Sequence, residues 1–187
     1  AAVKQMEVSL ENALELFKAE SKPSLTLEDF PARDVINEVV RLFSPKARVS
    51  DIVLRGPGVE TEGRLRSDKE LVRRLAINLV SNAVKYTPPG GVVTLDLRED
   101  SGSILFSVED TGPGIKPEFR DEIFTKFYRA PAPGGQGSRI PGSGLGLAIA
   151  KRAADLLGGR LWLESEVGKG SIFFVSNPKR GGDAHVA

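Results

Sequence analysis

The sequence predicts an α+β fold: a mixed, mostly antiparallel sheet covered by helices on one face, with a further helix at the N-terminus. Three observations predict it. Val72, Ala76, Leu79, Val80, Ala83 and Val84 recur at helical spacing, so the stretch Ser67 to Gly91 holds a long amphipathic helix with a broad apolar face, starting at Ser67 and ended by its closing prolines and glycines. Val93, Leu95 and Leu97, then Ile104, Phe106 and Val108, alternate with polar residues on either side of Ser101-Gly102, the pattern of a β-hairpin. A second helix near 145–157 is followed by two more strand candidates, 160–165 and 171–176, joined at Gly168. Helices set beside hairpins, rather than alternating with single strands, indicate α+β.

The elements follow in order. Val3, Met6, Leu10, Ala13 and Phe17 make a short 3-4-3-4 seam, predicting a helix over residues 1–20 that ends at Ser21 to Pro23. Residues 25–30 read as a short strand. Val35, Ile36, Val39, Val40 and Phe43 predict a helix over 31–43, stopped by Ser44 and Pro45. Residues 51–55 and 63–66 are short strand candidates. Ser67, followed three residues later by Glu70, has the form of a capping box at the start of the long helix. Pro88, Pro89, Gly90 and Gly91 end that helix. Residues 111–143 are rich in Gly and Pro and read as loop. Gly158-Gly159 ends the helix that begins near 145. Beyond Pro178 the chain is polar and reads as a flexible tail, residues 179–187.

Composition excludes several functions. The chain has 187 residues and a net charge of +1, which leaves no large basic field for nucleic acid. It has no Cys, so no disulfide framework or thiolate zinc site is available. Its only His is His185, in the polar tail, which removes a His-based triad or metal site. No run of about 18 apolar residues spans a membrane, and no signal peptide is visible.

Three groups of residues carry chemistry. On the long helix Asn78, Asn82 and Lys85 share a stripe away from the apolar face. Two amides and an ammonium on a largely buried helix need partners. A hydrated magnesium ion with phosphate oxygens supplies them, since amide oxygens are neutral hard ligands; a solvated helix face is the plainer alternative. Asp110 continues the inward phase of Ile104, Phe106 and Val108. A carboxylate aimed inward needs a donor. The Gly112-Pro113-Gly114 turn beside it lets a ligand approach the backbone. An adenine amine suits that acceptor and a guanine carbonyl does not; a turn-initiating Asp at a strand end fits equally well. The third group is Gly142-Ser143-Gly144-Leu145-Gly146-Leu147, glycines opening a helix whose free N–H groups suit an anion. It has neither Walker A nor Rossmann spacing, and a flexible connector also explains it. Between the second and third groups, Phe124 and Phe127 of FTKFYR are placed to clamp a loop onto the domain, leaving Lys126 and Arg129 toward phosphates; a surface helix end with core aromatics is the alternative.

The order NLVSNAVKYT, DTGPGI, FTKFYR, GSGLGLAI, GKGSIFF resembles the N, G1, F and G2 boxes and the closing Gly-Ser element of bacterial sensor histidine kinases, within the GHKL ATPase superfamily. The resemblance covers about residues 25–176. It implies a Bergerat-type ATP-binding two-layer α/β sandwich over residues 23–178, with ATP and magnesium as cofactors. It makes Asn82 the principal magnesium ligand, with Asn78 supporting metal and phosphates. Lys85 and Arg129 become the catalytic charges on the phosphates, and Tyr86 lies by the nucleoside. Asp110 takes the adenine amine, with Gly112, Gly114 and Ile115 shaping that pocket. Residues 116–143 become an ATP lid, mobile without nucleotide. Gly144 and Gly146 give its hinge and phosphate contacts, flanked by Ser143, Leu145 and Leu147. Ser171 stands where the family often has Thr and joins Asp110 through water to adenine.

Residues 1–22 resemble the end of a dimerisation and phosphoacceptor helix with its linker. The acceptor His of the family, on a preceding helix, is not in this chain, so the chain alone is not expected to autophosphorylate. The implied partners are the acceptor-His domain of the same kinase, homodimeric in the full-length protein, and a response regulator, with neither nucleic acid nor membrane contact by this part. The implied location is the cytoplasm, whether or not the full-length protein is membrane-anchored. The alternatives are an ATP-driven conformational switch of the gyrase or chaperone kind, a serine kinase, and a nucleotide-binding regulatory module. The switch needs a general-base Glu near the first Asn, and no acid stands on that turn.

Overall fold

A computed structural model describes residues 24–58, 63–100, 102–131 and 142–179. The expected N-terminal helix, most of the tail, His185 and the centre of the expected lid lie outside the described residues. Among the described residues, seven strands and three α-helices follow in the order β1 (Leu27–Pro31), α1 (Ala32–Val49), β2 (Val53–Arg55), β3 (Arg64–Asp68), α2 (Lys69–Tyr86), β4 (Val92–Glu99), β5 (Ser103–Asp110), α3 (Gly146–Leu156), β6 (Arg160–Glu166) and β7 (Gly170–Pro178). Two single-turn 3-10 helices, Pro117–Phe119 and Glu122–Phe124, lie between β5 and α3.

The main sheet has the order β2-β4-β5-β7-β6. Only β2 runs parallel to its neighbour, and the other pairings are antiparallel. This is the mixed, mostly antiparallel sheet that the sequence predicts. Its inner face carries Val93, Leu95, Leu97, Ile104, Phe106, Val108, Leu161, Phe173 and Val175, all buried. They pack against Val72, Leu75, Ala76, Leu79, Val80, Ala83 and Val84 of α2 and Ala150, Ala153 and Ala154 of α3 in one core. Each Val, Leu, Ile or Phe among them contributes about 1.5–3 kcal/mol on leaving water. The other face mixes polar residues with Leu105, Ile172 and Trp162 stacked on Phe174, with ring centroids 5.3 Å apart and the Arg160 guanidinium 5.5 Å over the indole.

Four local expectations are corrected. The cap of α2 is Asp68, whose carboxylate accepts from Leu71 N–H at 3.0 Å. Ser67 is claimed instead by strand pairing: it lies in β3 opposite Glu28 and is buried. Glu70 does not reach back to close a box. It binds Arg73 at 2.8 Å and Arg74 at 3.0 Å. Second, α1 runs through Pro45 to Val49. The Ser44 hydroxyl donates to the Val40 carbonyl at 2.7 Å, holding the turn that enters the proline. Third, β1 and β3 form a separate two-stranded sheet. Fourth, Lys179, read from sequence as part of the flexible tail, is tied to the domain. Lys179 donates to Gly102 O and accepts from Arg66 N–H, each at 3.0 Å, and its ammonium binds Glu99 at 2.6 Å.

Candidate functional site

The site is built where the C-terminal half of α2 meets the start of α3 and one end of the main sheet. Asn78, Asn82 and Lys85 are all half-buried on α2, on the stripe that the sequence spacing indicates. Nδ2 of Asn78 donates to the Arg74 carbonyl at 2.9 Å, which turns its Oδ1 outward. The Asn82 amide has no hydrogen-bond partner among the described residues. Facing both is Gly146, the first residue of α3. A Cβ there would lie 3.1 Å from Asn78 Oδ1 and 3.9 Å from both polar atoms of the Asn82 amide. The missing side chain thus leaves a narrow gap between two amides and a helix N-terminus that no side chain caps.

Lys85 Nζ donates to the Tyr86 hydroxyl at 3.2 Å, and a Cβ on Gly142 would run into it. The ammonium therefore stands at the far end of the loop that precedes α3. Phe127 N–H donates to the Gly144 carbonyl at 3.0 Å, and both residues have positive φ, 63° and 72°. A Cβ on Gly144 would lie 2.7 Å from the Phe127 carbonyl carbon, so a side chain there would push the two crossing strands of chain apart. This crossing ties together the two ends of the 128–143 segment. Phe124 packs edge-on against Phe173 with centroids 6.5 Å apart. Phe127 does not clamp the segment as expected: it is 68% exposed, because its left-handed backbone turns the ring outward. Arg129 is exposed at the start of the segment, while Ser143 and Leu147 are half-buried and Leu145 is buried at its end.

The second part of the site is a row across the sheet. Val93, Asp110, Ser171 and Ser165 are successive cross-strand partners on β4, β5, β7 and β6. Asp110 and Ser171 are buried. Oδ1 of Asp110 accepts from Gly112 N–H at 2.8 Å. Burial pushes the Asp110 carboxyl up to about 6, against the opposing pull of the Gly112 and Ser171 backbone N–H groups. Gly112 is required by crowding: a Cβ would lie 2.6 Å from Asp110 Oδ1 and 3.2 Å from the Tyr86 carbonyl, so the turn is pressed against the end of α2. Gly114 has φ 70°, and a Cβ there would strike the Glu166 carbonyl. Ile115 N–H donates to Ser165 Oγ at 2.8 Å.

Sequence reasoning missed Ser165 and Arg120, and left Thr111 and Gly170 without roles inside the motifs DTGPGI and GKGSIFF. Thr111 Oγ accepts from Val92 N–H at 2.9 Å, and the Arg120 guanidinium donates to the Ser165 carbonyl. Each role depends on cross-strand register or on a loop crossing, and none has a local spacing to reveal it.

Residues 67–181 match the family described as histidine kinase-, DNA gyrase B-, and HSP90-like ATPase. Histidine protein kinase DivJ of Caulobacter vibrioides is 34% identical over 149 residues, covering 80% of this chain and 24% of that protein. The chain thus spans about a quarter of the length of that curated relative. The nucleotide-free catalytic domain of histidine kinase ThkA superposes with a TM-score of 0.74 at 27% identity, over 84% of this chain and 98% of that one. Full-length ShkA in complex with AMPPNP superposes with a TM-score of 0.79 at 28% identity, over 95% of this chain and 36% of that one. Among the described residues no helix is long and apolar enough to cross a membrane.

Proposed function

The chain belongs to the histidine kinase-, DNA gyrase B-, and HSP90-like ATPase family as the ATP-binding catalytic domain of a histidine kinase, and on that premise we propose that it delivers the γ-phosphoryl of magnesium-ATP to a His on a dimerisation domain. One observation carries the proposal: the gap between Gly146, at the bare N-terminus of α3, and the amides of Asn78 and Asn82. Two outward amides, a helix N-terminus and a nearby ammonium fit a hydrated divalent cation and a polyphosphate.

Asn82 would hold magnesium, with Asn78 supporting it, and the ion would neutralise phosphate charge when bound. The N–H groups at the start of α3 and the Lys85 ammonium bind phosphate oxygens, and Arg129 reaches them from the segment that begins beside it. Asp110 accepts from the adenine amine, with Gly112, Gly114 and Ile115 forming the turn beside the base and Tyr86 lining the nucleoside side. What these groups supply is position and charge, which phosphoryl transfer chiefly demands. The turn of α2 that carries Asn78 has no acid to act as a water-activating base. Glu70 is held by Arg73 and Arg74, which keep its carboxyl below the ordinary range. Slow hydrolysis by the isolated chain is the consequence, in keeping with a kinase rather than an ATP-driven machine. In the whole protein the partners are the acceptor-His domain, in a homodimer, and a response regulator.

Calorimetry tests this directly. The chain should bind ATP, more tightly with magnesium than without, while adenosine should be indifferent to the metal. In Asn82→Ala the benefit of magnesium should vanish. If that variant still gains ATP affinity on adding magnesium, the metal is held elsewhere.

The adenine end should be sensitive to pH. The ionised Asp110 carboxylate accepts the amine, and its protonated form does not. Adenosine affinity should therefore hold steady above pH 7 and fall as pH drops through about 6. Titrating adenosine rather than ATP keeps the titration of the phosphates out of the result. An affinity that stays flat from pH 7.5 to 5 would contradict the assignment of Asp110.

A further inference from the structure

Ser165 lies on the edge strand β6, outside every motif that singled out the site. Its hydroxyl oxygen has three polar neighbours: Ile115 N at 2.8 Å, the Gly170 carbonyl oxygen at 2.9 Å and Ser171 Oγ at 3.0 Å. A hydroxyl has one proton and two lone pairs. The Ile115 N–H can only donate, and the Gly170 carbonyl can only accept. The Ser165 proton therefore goes to Gly170, and one lone pair takes Ile115. The remaining lone pair faces Ser171, so Ser171 must be the donor of that third bond. Ser171 has no second proton, and its oxygen is left presenting lone pairs alone.

Ser171 stands directly opposite Asp110 on the same face of the sheet, and both are buried. Gly170 secures the arrangement. It holds φ 122°, and a Cβ there would collide with the Asp110 carbonyl, so the peptide that accepts the Ser165 proton takes a course reserved for glycine. We infer that Ser165 is a specificity-determining positioning residue: by taking the Ser171 proton it leaves the Asp110 and Ser171 side chains both as acceptors, which selects a purine with an exocyclic amine beside them over one with a carbonyl in that place. The inference rests on the nucleotide-binding function proposed above and adds to it a residue that touches no part of the nucleotide.

The test compares ATP with ITP, which carries a carbonyl in place of the amine. Affinities of both, with magnesium, are measured by calorimetry on the wild-type chain, Ser165→Ala, Ser171→Ala and the double variant, with circular dichroism confirming the fold. Freeing the Ser171 hydroxyl to donate should lower the ATP-over-ITP preference of Ser165→Ala by about five-fold, the worth of one hydrogen bond. In the Ser171→Ala background the same substitution should leave the preference unchanged, because Ser165 acts through Ser171. Should Ser165→Ala fail to fold, Ser165→Cys, near in size but a weak acceptor, should lower the preference in the same direction. An unaltered preference in the folded variant overturns the inference. So does an equal loss with and without Ser171, which would mark Ser165 as a support of the loop alone. Failure of the wild-type chain to bind ATP would instead sink the nucleotide-binding function itself, and this inference with it.

Discussion

Asp110→Asn should lower ATP affinity by about 30- to 1000-fold, or roughly 2–4 kcal/mol, while leaving the fold intact. The two states differ in one direction of hydrogen bonding. The carboxylate accepts on both oxygens: Oδ1 is engaged by Gly112 N–H, and lone pairs beyond those taken by backbone N–H groups serve an amine. The amide keeps one acceptor. If that oxygen stays with Gly112, the NH2 group faces the adenine amine, donor against donor. If the amide turns over, the Gly112 N–H is buried opposite a donor. Either way a buried polar group goes unpaired, which costs more than the loss of an ordinary hydrogen bond.

The ligand-free fold should respond differently. The folded Asp110 carboxyl lies at about 6, above its ordinary 3.8. A group with a raised folded value contributes stability below the unfolded value and loses it as pH rises through the folded one. At neutral pH the buried carboxylate is therefore a burden on stability, of order 2–3 kcal/mol. Removing the charge offsets the lost acceptor. The ligand-free variant at pH 7.5 should thus unfold in denaturant within about 1 kcal/mol of wild type, or above it. Weak ATP binding together with unchanged stability is the expected pair of results. Near-normal ATP affinity would remove Asp110 from the adenine site, and a collapsed fold would show that the carboxylate serves the structure instead.

The parts of this architecture that were legible in sequence are those with local periodicity. The apolar face of α2, from Val72 to Val84, and the inward positions of β4 and β5 are set by spacing alone, and all are buried as expected. The stripe of Asn78, Asn82 and Lys85 follows from the same spacing. What was not legible depends on distant chain. Ser67 looks like a cap until β1 pairs with β3 and takes it. Pro45 looks like a stop, yet it sits on an exposed turn of α1, where losing one backbone bond is tolerated. Both strands of the β1–β3 sheet are read from sequence, but their pairing with each other, apart from the main sheet, joins residues about forty apart and has no local signal. Phe127 looks like an anchor, but its left-handed backbone, crossing Gly144, directs the ring to solvent. Ser165 is hardest of all: a lone Ser in a strand carries no signal until its register opposite Ser171 is known.

The 187-residue chain, incubated with γ-labelled magnesium-ATP, should bind the nucleotide and take up no label. Every group that the proposed function assigns to the phosphates is a donor, a cation or an amide: Asn78, Asn82, Lys85, Arg129 and the first N–H groups of α3. None is a nucleophile suited to forming phosphohistidine. Transfer requires an imidazole held in line with the γ-phosphoryl at near-contact distance, and positioning of that kind supplies much of the rate. The chain has one histidine, His185, which lies beyond Pro178 and outside the motifs that carry the site. Supplying the acceptor-His domain of the same kinase as a separate protein should restore transfer, slowly, since an encounter in solution replaces a tethered one. Label on that domain should be lost in acid and kept in base, as phosphohistidine requires. Absence of transfer in the mixture, with ATP demonstrably bound, would count against the kinase function. Label on the chain alone that disappears in His185→Ala would show instead that the chain carries its own acceptor.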